Sequence, residues 1–289
     1  MKRTLIIAIT MLLLAATMNG QKKSTAVNLS IDSEVLSKPI DYTVILPPGY
    51  NENQDKHYPV LYLLHGMYGI NTDWVKNGNA DKESARIMKE WGCKEMIIVT
   101  PNAGGADPVT QQNGYFDIPG WPYEQFFFTE FIPYIEKEFR TIPDKGHRAI
   151  AGLSMGGGGS LSYAMRHPEM FCAVYAMSAW AALTAEQKKA GYETAKGKIA
   201  PLQESVHEHD CIEFVKNADD KTKEALKSVK WFIDCGDDDF LLDVNLSLYQ
   251  AFRQKGIPCQ LRVRDGVHDW EYWHTALSMC LPFVSINFE

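Results

Sequence analysis

The chain has no block of lysine and arginine, no C-x-x-C pair and, after residue 17, no apolar run long enough to cross a bilayer. Each absence excludes something. With 36 acids against 29 bases and a formal charge of -7, there is no basic surface to hold a nucleic acid. The Lys-rich stretches 186–198 and 221–230 also contain acids and read as solvated helix faces. Without C-x-x-C spacing, a zinc site has no support, and neither a metal nor a cofactor is expected. The six cysteines are scattered at 93, 172, 211, 235, 259 and 280. Cys172, Cys235 and Cys259 lie in apolar, strand-like runs, where a thiol serves as a small buried hydrophobe, so mostly free thiols are expected. No internal repeat and no interdomain linker occurs.

What is present begins with an export signal. Lys2-Arg3 precede the apolar run Thr4 to Thr17, and polar Asn19-Gly20-Gln21 follow. A basic start, a short apolar centre and small residues after it make a secretory signal. The run is shorter than the roughly 20 residues a spanning helix needs. No cysteine follows it, which argues against a lipoprotein anchor. Residues 1–20 are therefore expected to be a signal peptide and 21–289 one exported domain, periplasmic or secreted, with no membrane contact once the signal is removed.

At 289 residues, 45% of them hydrophobic, the chain suffices for one large core. Alternating segments at 26–34 and 39–46 predict an antiparallel opening pair. A continuous apolar run at 59–64 and a second at 95–100 predict strands covered on both faces, and 147–152, 171–177, 230–235 and 259–264 read as further strands. Helical spacing recurs at 80–91, 123–139, 155–166, 240–255 and 270–284, with Phe127, Phe131, Ile135 and Phe139 on one stripe. Residues 101–122 read as a long loop, and polar 183–228 as a helical insertion over the sheet. Strands alternating with helices imply an α/β fold: a mostly parallel central sheet with helices on both faces. Ligands bind such sheets at the carboxyl ends of the strands. Gly66-Met67, Asn102, Ser154, Asp237 to Asp239 and His268 all fall there.

Residues 152–156 read G-L-S-M-G, with strand-type Arg148 to Ala151 before them and a small, apolar helical stretch after. That context makes G-x-S-x-G a nucleophile turn. Gly152 and Gly156 allow its tightness, and Ser154 projects over a helix N-terminus, where unpaired N–H groups favour negative charge. Four glycines in a row, Gly156 to Gly159, each cost ~1 kcal/mol against alanine in a helix. Close packing of helix on sheet, or access for an acyl chain, would offset this.

A serine hydroxyl needs a base, and the base an acid to orient it. Of eight histidines, His268 directly follows the last strand and is the candidate base; His57, His147, His167, His207, His209 and His274 read as surface or core imidazoles. Asp237, Asp238 and Asp239 all follow the strand ending at Gly236, and the residues alone leave the three equal. The backbone N–H groups of Met155 and of Met67, in L-L-H-G-M-Y-G, are candidate oxyanion donors.

Together, L-L-H-G-x-x-G, Asp73-Trp74, G-L-S-M-G-G, C-G-x-x-D-x-L-L and the late G-x-H-D-W resemble the esterase D family of α/β-hydrolases, over about residues 38–285. That family includes feruloyl esterases, S-formylglutathione hydrolases and secreted mycolyltransferases. The resemblance implies an α/β-hydrolase fold and a triad of Ser154, Asp239 and His268, the acid being the third residue after the glycine. It also supports Met67 and Met155. It implies a serine carboxylesterase whose partner is an ester-bearing small molecule or acylated plant oligosaccharide. An exported chain suits feruloyl groups on xylan better than a cytosolic glutathione thioester. Alternatives are an acetyl-xylan or other carbohydrate acetyl esterase, an acyltransferase to a sugar hydroxyl, and, in a different class, a non-catalytic carbohydrate-binding protein. Trp74 and Trp270, nearest the catalytic turns, are candidate substrate-binding rings.

Overall fold

A computed structural model describes residues 24–191 and 194–289. The signal segment expected at 1–20 lies outside the described residues. Alternating side chains open the chain as two antiparallel strands, β1 (Thr25–Ser33) and β2 (Lys38–Leu46). Apolar runs then make strands with every residue buried: β3 (Val60–Leu64) and β4 (Ile97–Pro101). Within the expected loop, β5 (Asp117–Ile118) and β6 (Trp121–Pro122) form a small ribbon. The central strands resume with β7 (Arg148–Leu153), β8 (Ala173–Met177), β9 (Lys230–Gly236) and β10 (Cys259–Arg264).

The large sheet has eight strands in the order β1-β2-β4-β3-β7-β8-β9-β10. β2 runs antiparallel to β4, and every neighbouring pair from β4 to β10 is parallel. Helices α1 (Asp73–Lys76) and α2 (Ala80–Glu90) follow β3; α3 (Tyr123–Phe126) and α4 (Ile132–Glu138) follow the ribbon; α5 (Met155–Arg166) follows β7. The insertion folds as α6 (Ala185–Ala190), α7 (Ile199–Glu208), α8 (Cys211–Lys216) and α9 (Asp220–Lys227). Then α10 (Leu242–Gln254) follows β9 and α11 (Trp270–Asn287) follows β10.

The two-residue period of the strands divides the core. Leu61, Leu63, Ile98, Ala149 and Ala151 face one side and pack on α2 and α11. Val60, Tyr62, Ile97, Val99 and Ile150 face the other, under α3, α4, α5 and α10. This is the α/β-hydrolase architecture. The insertion is an outer layer on the second face: α8 packs on α5 and α10, and α7 on β5. Its polar residues cap its own helices. Thr184 and Gln187 form a capping box, while Asp210 and Asp219 accept N–H groups at the starts of α8 and α9.

Two differences from the predicted elements have local causes. The helix expected over 123–139 is interrupted by a π-helical turn at Phe127–Phe131. Pro133 has no N–H and fits only the first turn of a helix, so the regular ladder restarts at Ile132. The helix expected from 240 starts at Leu242, because Asp239 takes the Leu241 N–H at 2.8 Å. All six cysteines are free: Cys172, Cys211, Cys235 and Cys280 are buried, Cys93 and Cys259 half-buried.

Candidate active site

Ser154 joins β7 to α5 with φ 53° and ψ -117°. A non-glycine residue there carries ~1–3 kcal/mol of strain, so the surroundings must hold it. They do: Ser154 donates its N–H to the Met177 carbonyl at 2.9 Å, and its own carbonyl accepts from Gly158 and Trp180. The glycines are dictated by contact. A Cβ on Gly152 would stand 2.5 Å from the Gly156 oxygen, and one on Gly156 would stand 2.5 Å from the His65 oxygen. Gly157 abuts Ala179, Gly158 the Trp180 carbonyl and Gly159 the Tyr115 ring. The four-glycine run therefore serves close packing on all sides.

Loops at the carboxyl ends of β9 and β10 bring the other two groups to the serine. Ser154 Oγ lies 2.9 Å from His268 Nε2. His268 Nδ1 lies 2.8 Å from Asp239 Oδ2 and 3.0 Å from Oδ1. The three aspartates separate here. Asp237 and Asp238 are exposed, and Asp237 accepts the Gly266 N–H at 3.0 Å, lacing the two loops together. Asp239 is buried. Burial pushes its carboxyl up, but hydrogen bonding and charge from His268, with the Leu241 N–H and Ser178, outweigh that and hold it below the ordinary value. It is thus an anion facing Nδ1–H, which leaves Nε2 as an acceptor for the serine proton. The imidazole is wedged edge-to-face on Trp273 at 4.9 Å, whose indole N–H donates to Ser178 Oγ.

Met155 is the first residue of α5, so no carbonyl of the helix accepts its N–H. The Gly66-Met67 turn lies against the nucleophile: a Cβ on Gly66 would be 3.4 Å from Ser154 Cβ. The turn that carries Met67 and the start of α5 that carries Met155 thus meet at the serine from different elements. His65, the histidine of L-L-H-G-M-Y-G to which the sequence reading assigns no role, is fully buried behind this turn. Asp73 accepts the Ile70 N–H at 3.0 Å and so holds the same turn from α1.

The expectation that Trp74 binds substrate is corrected. Its ring is fully buried and its indole N–H donates to the Leu64 carbonyl at 3.0 Å. Trp270 is half-buried and edge-on to both Trp74, at 5.3 Å, and Trp273, at 5.5 Å, the ring that itself meets His268. The exposed rings beside the site are others: Tyr68, 58% exposed, follows Met67, and Phe240, 66% exposed, follows Asp239. Sequence signals for them were faint, a tyrosine inside L-L-H-G-M-Y-G and one apolar residue after an acidic run. Asn102 lines a different cavity, of about 360 Å³, with Lys38, Asp41, Gln112 and Trp121. Among the described residues, no group of three or more His, Cys, Asp and Glu is arranged to hold a metal ion.

Such a constellation can take a proton from an alcohol, stabilise an oxyanion and return the proton to a leaving group. Comparison with known proteins agrees. The family described as Putative esterase matches residues 33–284. A solved ferulic acid esterase is 53% identical, with a TM-score of 0.88 over 92% of this chain and 99% of that one. A ferulic acid esterase from Anaeromyces mucronatus, 22% identical, shares the fold at a TM-score of 0.72 over 94% of this chain and 95% of its own. An endo-1,4-beta-xylanase/feruloyl esterase of Xylanibacter ruminicola is 27% identical over 85% of this chain, which spans only 29% of that longer protein. An acetyl esterase of Caldicellulosiruptor saccharolyticus is 25% identical over 88% of this chain and 95% of its own length. The chain belongs to the esterase family of α/β-hydrolases that includes the feruloyl esterases, and it is a carboxylic ester hydrolase.

Proposed function

We propose that this protein is an exported serine esterase that removes feruloyl groups from plant cell-wall polysaccharide such as xylan, through an acyl-enzyme. One observation carries the mechanism: Ser154 Oγ, His268 and buried Asp239 form a continuous hydrogen-bonded line. Ser154 Oγ attacks the ester carbonyl as its proton passes to His268 Nε2. The carbonyl oxygen becomes an oxyanion beside the N–H groups of Met67 and Met155. The imidazolium then gives its proton to the alcohol oxygen as the C–O bond breaks, and the acyl group stays on Ser154. Water, deprotonated by the same nitrogen, attacks the acyl carbon; the acid leaves and Ser154 regains its proton. Asp239 holds the imidazole in the required tautomer throughout.

The feruloyl group is supported by the 53% identical ferulic acid esterase, matched over 99% of its chain. Export is supported by the basic and apolar pattern of residues 2–21. A carbohydrate acetyl esterase is the second reading, favoured by the acetyl esterase matched over 95% of its length. Methyl ferulate, feruloylated xylan oligosaccharide, acetylated xylan and an aryl acetate, offered to residues 21–289, separate the readings. Release of ferulate from both feruloyl substrates is expected, abolished in Ser154→Ala. Release of acetate alone would overturn the feruloyl assignment, and full activity in Ser154→Ala would overturn the mechanism.

A further inference from the structure

Phe240 leaves an apolar ring in water beside the group that must protonate the leaving alcohol. It is 66% exposed, and its ring centroid lies 4.5 Å from that of His268, at an interplanar angle of 52°. Its base is fixed. Asp237 N–H donates to the Arg264 carbonyl, Asp238 N–H to the Gly266 carbonyl and Gly266 N–H to Asp237, while Leu241 N–H donates to Asp239. Val267, immediately before His268, is also 46% exposed, so each of the two loops carries one exposed apolar side chain next in sequence to a triad residue. Isolated exposed apolar residues need no explanation, but Phe240 stands on a laced turn with its ring against a reacting group.

Geometry decides which half of the ester meets it. The oxyanion donors, Met67 and Met155, fix the carbonyl. The proton that His268 takes from Ser154 must return to the alcohol oxygen, so that oxygen lies within reach of Nε2 and its carbon skeleton runs along the imidazole. The exposed face of Phe240 is therefore offered to the alcohol half and not to the acyl half. We propose that Phe240 is the platform for a neutral sugar ring carrying the ester, which lays its C–H face on the phenyl face. Exposed Asp237 and Asp238 in the same turn disfavour a uronate there. The sugar as leaving group rests on the function proposed above; the position of the platform rests on Phe240 and His268.

The test compares two esters of one acid, methyl ferulate and a feruloylated neutral oligosaccharide, in the wild type, Phe240→Ala and Phe240→Trp. Phe240→Ala should lose about tenfold more kcat/KM on the oligosaccharide than on the methyl ester, while Phe240→Trp keeps the ratio within about threefold of wild type. The rate of deacylation, measured after the alcohol has left, should not follow that ratio. An equal loss on both esters would overturn the platform, because the ring would then be acting only on the position of His268. If the wild type releases acetate but no ferulate, the feruloyl reading falls alone. Ethyl acetate and an acetylated oligosaccharide then decide on Phe240 by the same ratio.

Discussion

The imidazole of His65 accepts the backbone N–H of Ala103 at 2.9 Å through Nε2. Its proton therefore sits on Nδ1, which donates to the Gly66 carbonyl at 2.8 Å. One buried, neutral ring thus ties the turn carrying the Met67 N–H to the long loop after β4. Burial lowers the His65 pKa below the ordinary ~6.5, with weaker opposing contributions from Gly66, Asp73 and Asn102.

His65→Ala should destabilise the protein by about 2–4 kcal/mol, since it opens a cavity and strands the Ala103 N–H. It should also lower kcat on methyl ferulate about 10–100-fold by loosening the oxyanion turn. Denaturant unfolding and steady-state kinetics check both. The pH dependence has a definite sign. The unfolded chain protonates this histidine near 6.5 and the folded one only lower, so stability is intact above about 6.5 and falls as pH drops below it. His65→Ala should flatten that slope.

Asp239→Asn should reduce kcat about 10³–10⁴-fold with little change in fold, because the amide lets the imidazole adopt the wrong tautomer. Asp239 is held below its ordinary pKa, so its contribution to stability is present above about 3.9 and is lost as pH falls through the folded value. Acid titration of the wild type against Asp239→Asn, followed by circular dichroism, should show that difference.

Gly158→Ala sets two effects against each other. Helix propensity favours alanine by ~1 kcal/mol. The new Cβ, however, would stand 2.2 Å from the Trp180 carbonyl, whose residue is bonded to the Ser154 backbone. Overpacking against backbone costs ~1–3 kcal/mol or more, so the variant should have a lower midpoint in urea than the wild type. A midpoint at or above wild type would contradict it.

Glu124 lies 3.6 Å from His167 Nε2 and 3.4 Å from His209 Nε2, joining the start of α3 to the end of α5 and the end of α7. Phe116 stacks on His209 at 3.9 Å. Burial raises the Glu124 carboxyl, but hydrogen bonds and charge from His167 and His209 outweigh it and bring the value to about 2. His167 moves up, mainly through its hydrogen bond to Glu124, with Glu169 adding to it. The carboxylate's contribution is present above about 4.5 and lost as pH falls toward 2. That of His167 is present below about 6.5 and lost as pH rises through its raised value. Glu124→Gln should lower Tm most near pH 6, and its deficit should shrink on the alkaline side. A deficit that does not change with pH would sink this linkage.

The central strands were legible because burial on both faces writes a continuous apolar run, as in Val60–Leu64. Ser154 and His268 were legible because the nucleophile turn and the last loop have tight local rules. What escaped depended on contacts between distant residues. Three aspartates share one turn, and only the approach of the β10 loop makes the third one different. Adjacency to a catalytic turn made Trp74 look like a binding ring, but α1 turns it inward to the Leu64 carbonyl. His65 ends an apolar strand, and only the path of the 101–122 loop gives its second nitrogen a partner. The π turn followed from Pro133, which the stripe of phenylalanines concealed.

No two of the six thiols are joined, so no crosslink closes any loop of this chain. Burial pushes Cys172 and Cys211 up to about 12, which keeps them as unreactive thiols at neutral pH. The native state therefore gains nothing from an oxidant and loses nothing to a reductant. It should be recoverable from a reducing bacterial cytoplasm and keep its melting temperature in millimolar dithiothreitol.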